Sequence, residues 1–459
     1  MIKSLFGDKA FYKRLFVLVI PIMVQNGITN FVNMLDNIMV GQVGTAQMTG
    51  VAVANQLIFV YNLCIFGAIS GAGIFGAQFF GNNDHNGLRN TYRFKIIFGV
   101  SLTVCCSLLF YFYGEPLINL YLKGEGSKES AAAALIYAKK YLNIMLLGLL
   151  PYTVTQCYAS TLRETGETVF PMISGIAAVV VNLMFNYVLI FGKLGAPKLG
   201  ANGAAVATVI SRFAELFVIA IWTHLKYNRN KFIIGAYKSL HVPKKLVKQI
   251  FIKGLPLMLN ETLWAAGIAM INQAYSLKGL DVVAANNISQ TFFNIFSVAF
   301  HSVGVAISII LGQILGSGDG EKAKDYAKKL ITFSVIVSVI VGAFYALIAE
   351  FIPSAYNVTP EIKVLATRLM QISALTMPIE AFVNAAYFTL RSGGKTLITI
   401  IFDSFFVWII SMPLAFLLCI FTGLDILTIY FICQAVNIIK AVIGFVLIKK
   451  GIWIKNIVV

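Results

Sequence analysis

Five carboxylic acids stand inside long apolar stretches of this chain: Asp36, Glu215, Glu261, Glu380 and Asp403. A carboxylate taken out of water is costly unless a proton, a cation or hydrogen-bond donors accompany it. Acids at such positions can therefore carry cation or proton exchange. No other chemistry is supported. The four histidines are scattered, and no P-loop, H-E-x-x-H or G-x-S-x-G pattern occurs. Without a nucleotide site, any transport must be driven by an ion gradient.

Asp36 lies late in the first apolar stretch, within Asn30-Phe31-Val32-Asn33-Met34-Leu35-Asp36-Asn37. Asn182 and Asn186 are spaced to share one face of a helix. Their amides can coordinate a hard cation or hydrogen-bond a protonated acid, and Thr208 is a candidate to complete the set. The same residues also read as an acid facing headgroups and amides joining helices.

In the second half, Glu261 follows Pro256, which frees a carbonyl and bends its helix near the acid. Trp264 is expected on the same face. Glu380 follows Pro378, and Asn26 takes the Glu261 position of the first half. Weaker candidates are Asp403, expected near the inner headgroup region, and His301, read as a buried neutral ring. Glu215 reads as half of an i,i+3 pair with Arg212.

The elements that must position these residues are membrane spans. The chain of 459 residues is 58% hydrophobic and 12% charged, where a soluble domain carries about 25% charge. Mean hydropathy is +0.82. Twelve apolar stretches are read at 15–43, 50–80, 96–113, 134–160, 170–192, 202–224, 249–276, 282–315, 330–351, 364–389, 397–421 and 426–448. Several exceed the ~20 residues that cross a bilayer. Residues 1–14 are polar and basic, so no cleavable signal is expected. A polar outer loop is expected over 114–133. The six cysteines fall in apolar stretches and read as buried small hydrophobes, with no disulfide or metal site.

The net charge of +17 would suit a nucleic-acid binder, but its distribution excludes one. Of the 36 Lys and Arg, 25 fall at the N-terminus and on alternate connections, and nine on the others. Arg212 and Lys440 lie near the ends of spans. The basic side is expected to be cytoplasmic, with both termini inside.

The chain also repeats itself. Gln78, Gly81 and Asp84 are answered by Gln313, Gly316 and Asp319, and Pro21 by Pro256, all 235 residues on. Leu162-Arg163 and Gly166-x-Thr168 are answered by Leu390-Arg391 and Gly394-x-Thr396 at 228. Six spans return the chain to its starting side, so the halves are parallel repeats. The expected organisation is an N-terminal lobe over 1–225, a basic linker over 226–248 and a C-terminal lobe over 249–459. The paired glycines read as helix caps or close-packing points, and Arg163 and Arg391 as anchors to lipid phosphate or helix ends.

Together these residues resemble the multidrug and toxic compound extrusion family. The likeness covers the whole chain. It rests on Pro21, the Asp36 segment, the paired Gln-x-x-Gly ends, the two Leu-Arg-x-x-Gly-x-Thr segments and Gly203-Ala204-Ala205-Val206-Ala207-Thr208. The resemblance implies an all-α membrane protein of twelve transmembrane helices, in two six-helix lobes around a V-shaped central cavity. It implies export of drug-like, often cationic compounds in exchange for Na+ or H+. Asp36 and Asn182 match the family's N-lobe cation site, although Asn186 stands where several members carry Asp. Glu261 and Glu380 are similar to the C-lobe acid pair of NorM-type members, and two acids there favour Na+.

The expected protein is thus a secondary antiporter of the cytoplasmic membrane. It acts as a monomer on amphipathic organic cations, without cofactor or nucleic-acid partner. The cation- or proton-binding residues are Asp36, Asn182, Asn186, Thr208, Glu261 and Glu380. One rival is a lipid-linked oligosaccharide flippase of related architecture, which would want basic residues where this chain has acids. Another is a membrane-embedded transferase, for which no acid and histidine cluster is present. A channel is poorly served by the duplication.

Overall fold

A bilayer offers backbone groups no hydrogen-bond partner, so apolar stretches of this length must close their own hydrogen bonds as helices. The computed structural model describes residues 5–122 and 128–458. Lys3 and Lys123, counted above among the loop charges, lie outside them. Twelve long helices are present among the described residues. In the first half they are α1 (Lys9–Gly41), α2 (Thr45–Gly81), α3 (His85–Leu122), α4 (Lys128–Glu164), α5 (Val169–Phe191) and α6 (Ala201–Leu225). In the second they are α7 (Lys244–Ser276), α8 (Leu280–Gly316), α9 (Gly320–Ile348), α10 (Pro360–Ser392), α11 (Thr396–Phe421) and α12 (Ile426–Lys449). Eleven of these are long and apolar enough to cross a membrane; α10, with Lys363, Arg368, Glu380 and Arg391, is the exception. The chain is a multi-pass, all-helical membrane protein.

The outer loop expected over 114–133 is mostly helix. α3 runs on to Leu122 because Gly114 and Ile118 are buried against α4, with Leu142 beside Gly114. Pro116 is accommodated inside that helix, as are Pro21, Pro151, Pro256 and Pro378 in theirs. Two helices are irregular. α11 is π-helical from Ile401 to Ser411, and α12 is interrupted at Val436.

Two compact units divide the chain: unit 1 is Met1–Met23, Ala77–Asn83 and Phe251–Val459, and unit 2 is Val24–Gly76 and Asp84–Ile250. In unit 1 the repeat markers explain themselves. Gly81 lies on the backbone of Gln313, and Gly316 on the backbone of Gln78, so no side chain fits at either crossing. Gln78 donates to the carbonyls of Ser392 and Lys455 and accepts from Ile457, which ties down the end of the chain. Gln313 accepts from Arg14 at 2.7 Å. The aspartates are helix N-caps: Asp84 accepts from Gly87 N at 2.8 Å in unit 2, and Asp319 from Lys322 N at 3.0 Å in unit 1.

The connection after α6 is packed onto unit 2. Phe232, Ile233 and Ala236 are buried. Arg93 donates to the carbonyls of Gly235 and Ala236 at 2.7 and 2.8 Å, and the Tyr237 hydroxyl meets those of Tyr92 and Tyr158.

Candidate functional site

In unit 2, α5 and α6 approach closely because of Gly203: a Cβ there would lie 2.6 Å from the Leu189 carbonyl. This contact sets Thr208 beside Asn182. Asn186, which is fully buried, donates through Nδ2 to Asp36 Oδ1 at 2.6 Å and to Asn182 Oδ1 at 3.0 Å. Asn182 donates to Thr208 Oγ1 at 3.3 Å, and that hydroxyl donates onward to Ala204 O. All four first-half residues singled out in the sequence therefore meet in one network. Tyr141 on α4 stands within electrostatic range of Asp36.

The Asn182 amide has two settings, and only the one with its NH2 inward, which donates to both Asp36 oxygens while its oxygen accepts from Thr208, satisfies an ionised Asp36. With its oxygen inward, that oxygen faces the two Asp36 oxygens at 3.1 and 3.2 Å. With its NH2 inward, it donates to Asp36 but meets the Asn186 NH2 at 3.0 Å. One further positive charge completes the first setting: a proton on Asp36, or a cation shared by the clustered oxygens. Asn186 Oδ1 is a buried oxygen with no hydrogen-bond partner among the described residues, which fits the setting with the Asn182 oxygen inward.

In unit 1, the acids form a larger set. The Tyr387 hydroxyl donates to Glu261 Oε1 at 3.0 Å. Asn260, buried beside Glu261, donates to Asp403 Oδ2 at 3.0 Å and accepts from Ser404 at 2.7 Å. Lys440 Nζ reaches Asp403 Oδ1 at 2.5 Å. Asn437 donates to Glu380 Oε1 at 2.6 Å. Among the described residues Glu261 and Glu380 share no direct hydrogen bond, but Asp403 lies within electrostatic range of both.

Several expectations need correction. Asp403 is not a headgroup contact; it is the centre of the unit 1 set, on the π-helical stretch of α11 that turns both Asp403 and Ser404 towards Asn260. Lys440, read as lying near a span end, is buried, with only 5% of it exposed. It follows the interruption in α12 that also brings Asn437 to Glu380. Lys95, counted with the loops, is inside α3 and bonds both oxygens of Glu164 at 2.5 and 2.7 Å. Gly73 and Gly76 on α2 leave the room that Glu164 fills. Arg212 donates to Gly148 O and stacks over Tyr152; Glu215 is within electrostatic range of it, without a direct ion-pair contact among the described residues. Trp264 is 39% exposed, and no hydrogen bond among the described residues joins it to the set. His301 is exposed on its helix; its Nδ1 bonds Ser297 O at 2.8 Å, which places the proton on that nitrogen.

Asn260, Tyr387, Asn437 and Lys440 were not picked out from the sequence. One signal was available for Lys440. It stands 228 residues after Arg212, the interval of the Leu-Arg markers, as Glu380 does after Tyr152.

Comparison with known proteins settles the family. Two stretches, residues 21–188 and 256–417, each match the MatE family model. They open at Pro21 and Pro256, the pair that keeps the repeat interval. The chain belongs to the MatE family. It is similar to the probable multidrug resistance protein NorM of Thermotoga maritima, with 27% identity over 97% of this chain and 94% of that protein. It is also similar to the multidrug resistance protein MdtK of Yersinia pseudotuberculosis, with 26% identity over 88% of this chain and 87% of the relative. Among solved structures, an outward-facing multidrug resistance MATE family transporter of the MOP superfamily superposes with a TM-score of 0.87 at 20% identity, over 98% of this chain and 97% of its own. The fold is therefore that of a MATE transporter.

Proposed function

We propose that this MATE transporter is a secondary antiporter that exports amphipathic organic cations in exchange for H+ or Na+. The observation that carries the reading is the Asp36 network. Asp36, Asn182 and Asn186 form one buried set in which the Asn182 amide suits an ionised Asp36 with its NH2 inward, and a proton or cation at Asp36 with its oxygen inward. A single carboxylate in a site poor in water cannot neutralise two charges at once. Binding of the coupling ion and binding of a cationic substrate then oppose each other, which is the requirement for exchange. The names of the relatives, multidrug resistance proteins NorM and MdtK, agree with drug export.

The unit 1 residues Glu261, Glu380 and Asp403 are assigned to the same cycle, as acids that meet the substrate or ion on its passage. Trp264 and His301 are not assigned to it. The basic side of the chain, including the segment 226–248, is placed in the cytoplasm with both termini. A test is efflux of a fluorescent organic cation from proteoliposomes under a Na+ gradient or a proton gradient imposed separately. Exchange driven by either gradient supports the reading, and efflux that ignores both contradicts it.

A further inference from the structure

Lys440 is the feature of the transporter that the exchange reading leaves over. A lysine buried in a membrane helix is as costly as a buried acid, and its side chain is 6% exposed. Its ammonium meets Asp403 at 2.5 Å, stands over the rings of Phe402 and Phe406 at 5.4 and 5.9 Å, and lies within electrostatic range of Glu380. Asp403 is held on its other oxygen by Asn260.

The first half shows how this differs from a packing device. Arg212 stands 228 residues before Lys440, the interval of the Leu-Arg markers. There the cation rests on the Tyr152 ring, 4.9 Å away, and on the Gly148 carbonyl. Gly175 stands at the position of Asp403. The acid in electrostatic range of Arg212 is Glu215, one turn along its own helix, and no carboxylate contacts the guanidinium among the described residues. In unit 1 the cation meets a carboxylate directly.

We propose that Lys440 is a tethered cation of the unit 1 acid set. Its ammonium holds the place among Asp403 and Glu380 that a free cation would otherwise take. A transported cation reaches these acids by displacing it. Lys440 is then a positioning residue for transport: it leaves unit 1 with no free Na+ site and makes each arriving positive charge exchange with an internal one. This inference rests on the exchange reading, but its test does not need transport.

The test is binding of radioactive Na+ to the purified full chain, in an Asp36→Asn background that silences the unit 2 network. Asp36→Asn alone is expected to bind Na+ at background level. Asp36→Asn with Lys440→Gln, which keeps a hydrogen bond to Asp403 but loses the charge, is expected to gain a saturable site near one ion per chain. Adding Asp403→Asn removes the site again, and Lys440→Arg in place of Lys440→Gln never creates it. Saturable binding already present in Asp36→Asn, or none gained with Lys440→Gln, overturns the proposal. If Lys440→Gln does not fold, the combination Lys440→Met with Asp403→Asn decides. Recovery of folded protein shows that Lys440 serves the acid's charge, and failure to recover shows a packing role and overturns the proposal. A wild-type protein that exports no organic cation under any gradient would fail the exchange reading and leave the binding result standing.

Discussion

The Asn186 amide and the Asp36 carboxylate lie 2.6 Å apart, on helices α5 and α1. Asn186 also bonds Asn182, one turn earlier on the same helix. One amide therefore ties the acid to the rest of its set. Changing Asn186 to Asp places a second carboxylate against Asp36. Two acids that close cannot both ionise, so one holds a proton. Efflux by this variant is expected to become more dependent on the proton gradient and less on Na+. Efflux measured against pH, with and without Na+, checks this; an unchanged pH profile would separate the two residues functionally.

Glu261→Gln and Glu380→Gln keep shape and hydrogen bonding and remove charge. Each is expected to lower efflux by about tenfold or more, since a hydrogen bond to a charged group is worth ~1.5–3 kcal/mol. Expression and melting temperature should hold. Wild-type efflux from either variant would make that acid structural.

The buried Lys95–Glu164 pair gives a stability prediction. Their side chains are 0% and 6% exposed. Removing one partner strands a charge, so Lys95→Met should cost about 3–5 kcal/mol. Lys95→Met with Glu164→Gln should recover most of the loss. Melting of the detergent-solubilised protein reads both, and equal losses in single and double variants would contradict the pairing.

Gly316→Ala pushes a methyl group into the Gln78 carbonyl. Such overpacking costs about 1–3 kcal/mol, and the melting temperature should fall. Gly27→Ala, with nothing within 4 Å of the new methyl, should leave it unchanged. An equal response at both sites would refute the close crossing.

Cysteines introduced at Lys244 and Lys322 should be shielded from an impermeant label in intact cells, and one at Lys198 should react. All three positions are exposed on the protein. Labelling of Lys244 from outside would reverse the assigned orientation.

The spans and the repeat were legible because apolar runs and paired Pro, Gly and Asp residues have direct backbone consequences. Gly81 and Gly316 mark a helix crossing, and Asp84 and Asp319 cap helices. The Asp36 set was legible because Asn182 and Asn186 are polar on one face of an otherwise apolar helix. The unit 1 set was only half visible. Asn260 and Tyr387 look like ordinary span residues, and the π-helical turns that orient Asp403 leave no mark in hydropathy. Lys440 was placed inside a span, but its acid partners come from other helices and leave no mark near it in the sequence. Lys95 was counted with a loop because the apolar stretch was read from residue 96, while the helix begins at His85. Trp264 shares a helix with Glu261, which does not fix the face it turns, and the exposure of His301 was not readable from its place in an apolar run.

The most direct test of the account is gradient-driven efflux by Asp36→Asn in proteoliposomes, read beside binding of the same organic cation. The Asn side chain keeps the size of Asp36 but cannot take up a proton or balance a cation. The account predicts that neither a Na+ nor a proton gradient drives export by this variant, and that the organic cation, which shares the Asp36 carboxylate with the coupling ion, binds more weakly than to the wild type. Export coupled to either gradient at the wild-type rate would contradict it.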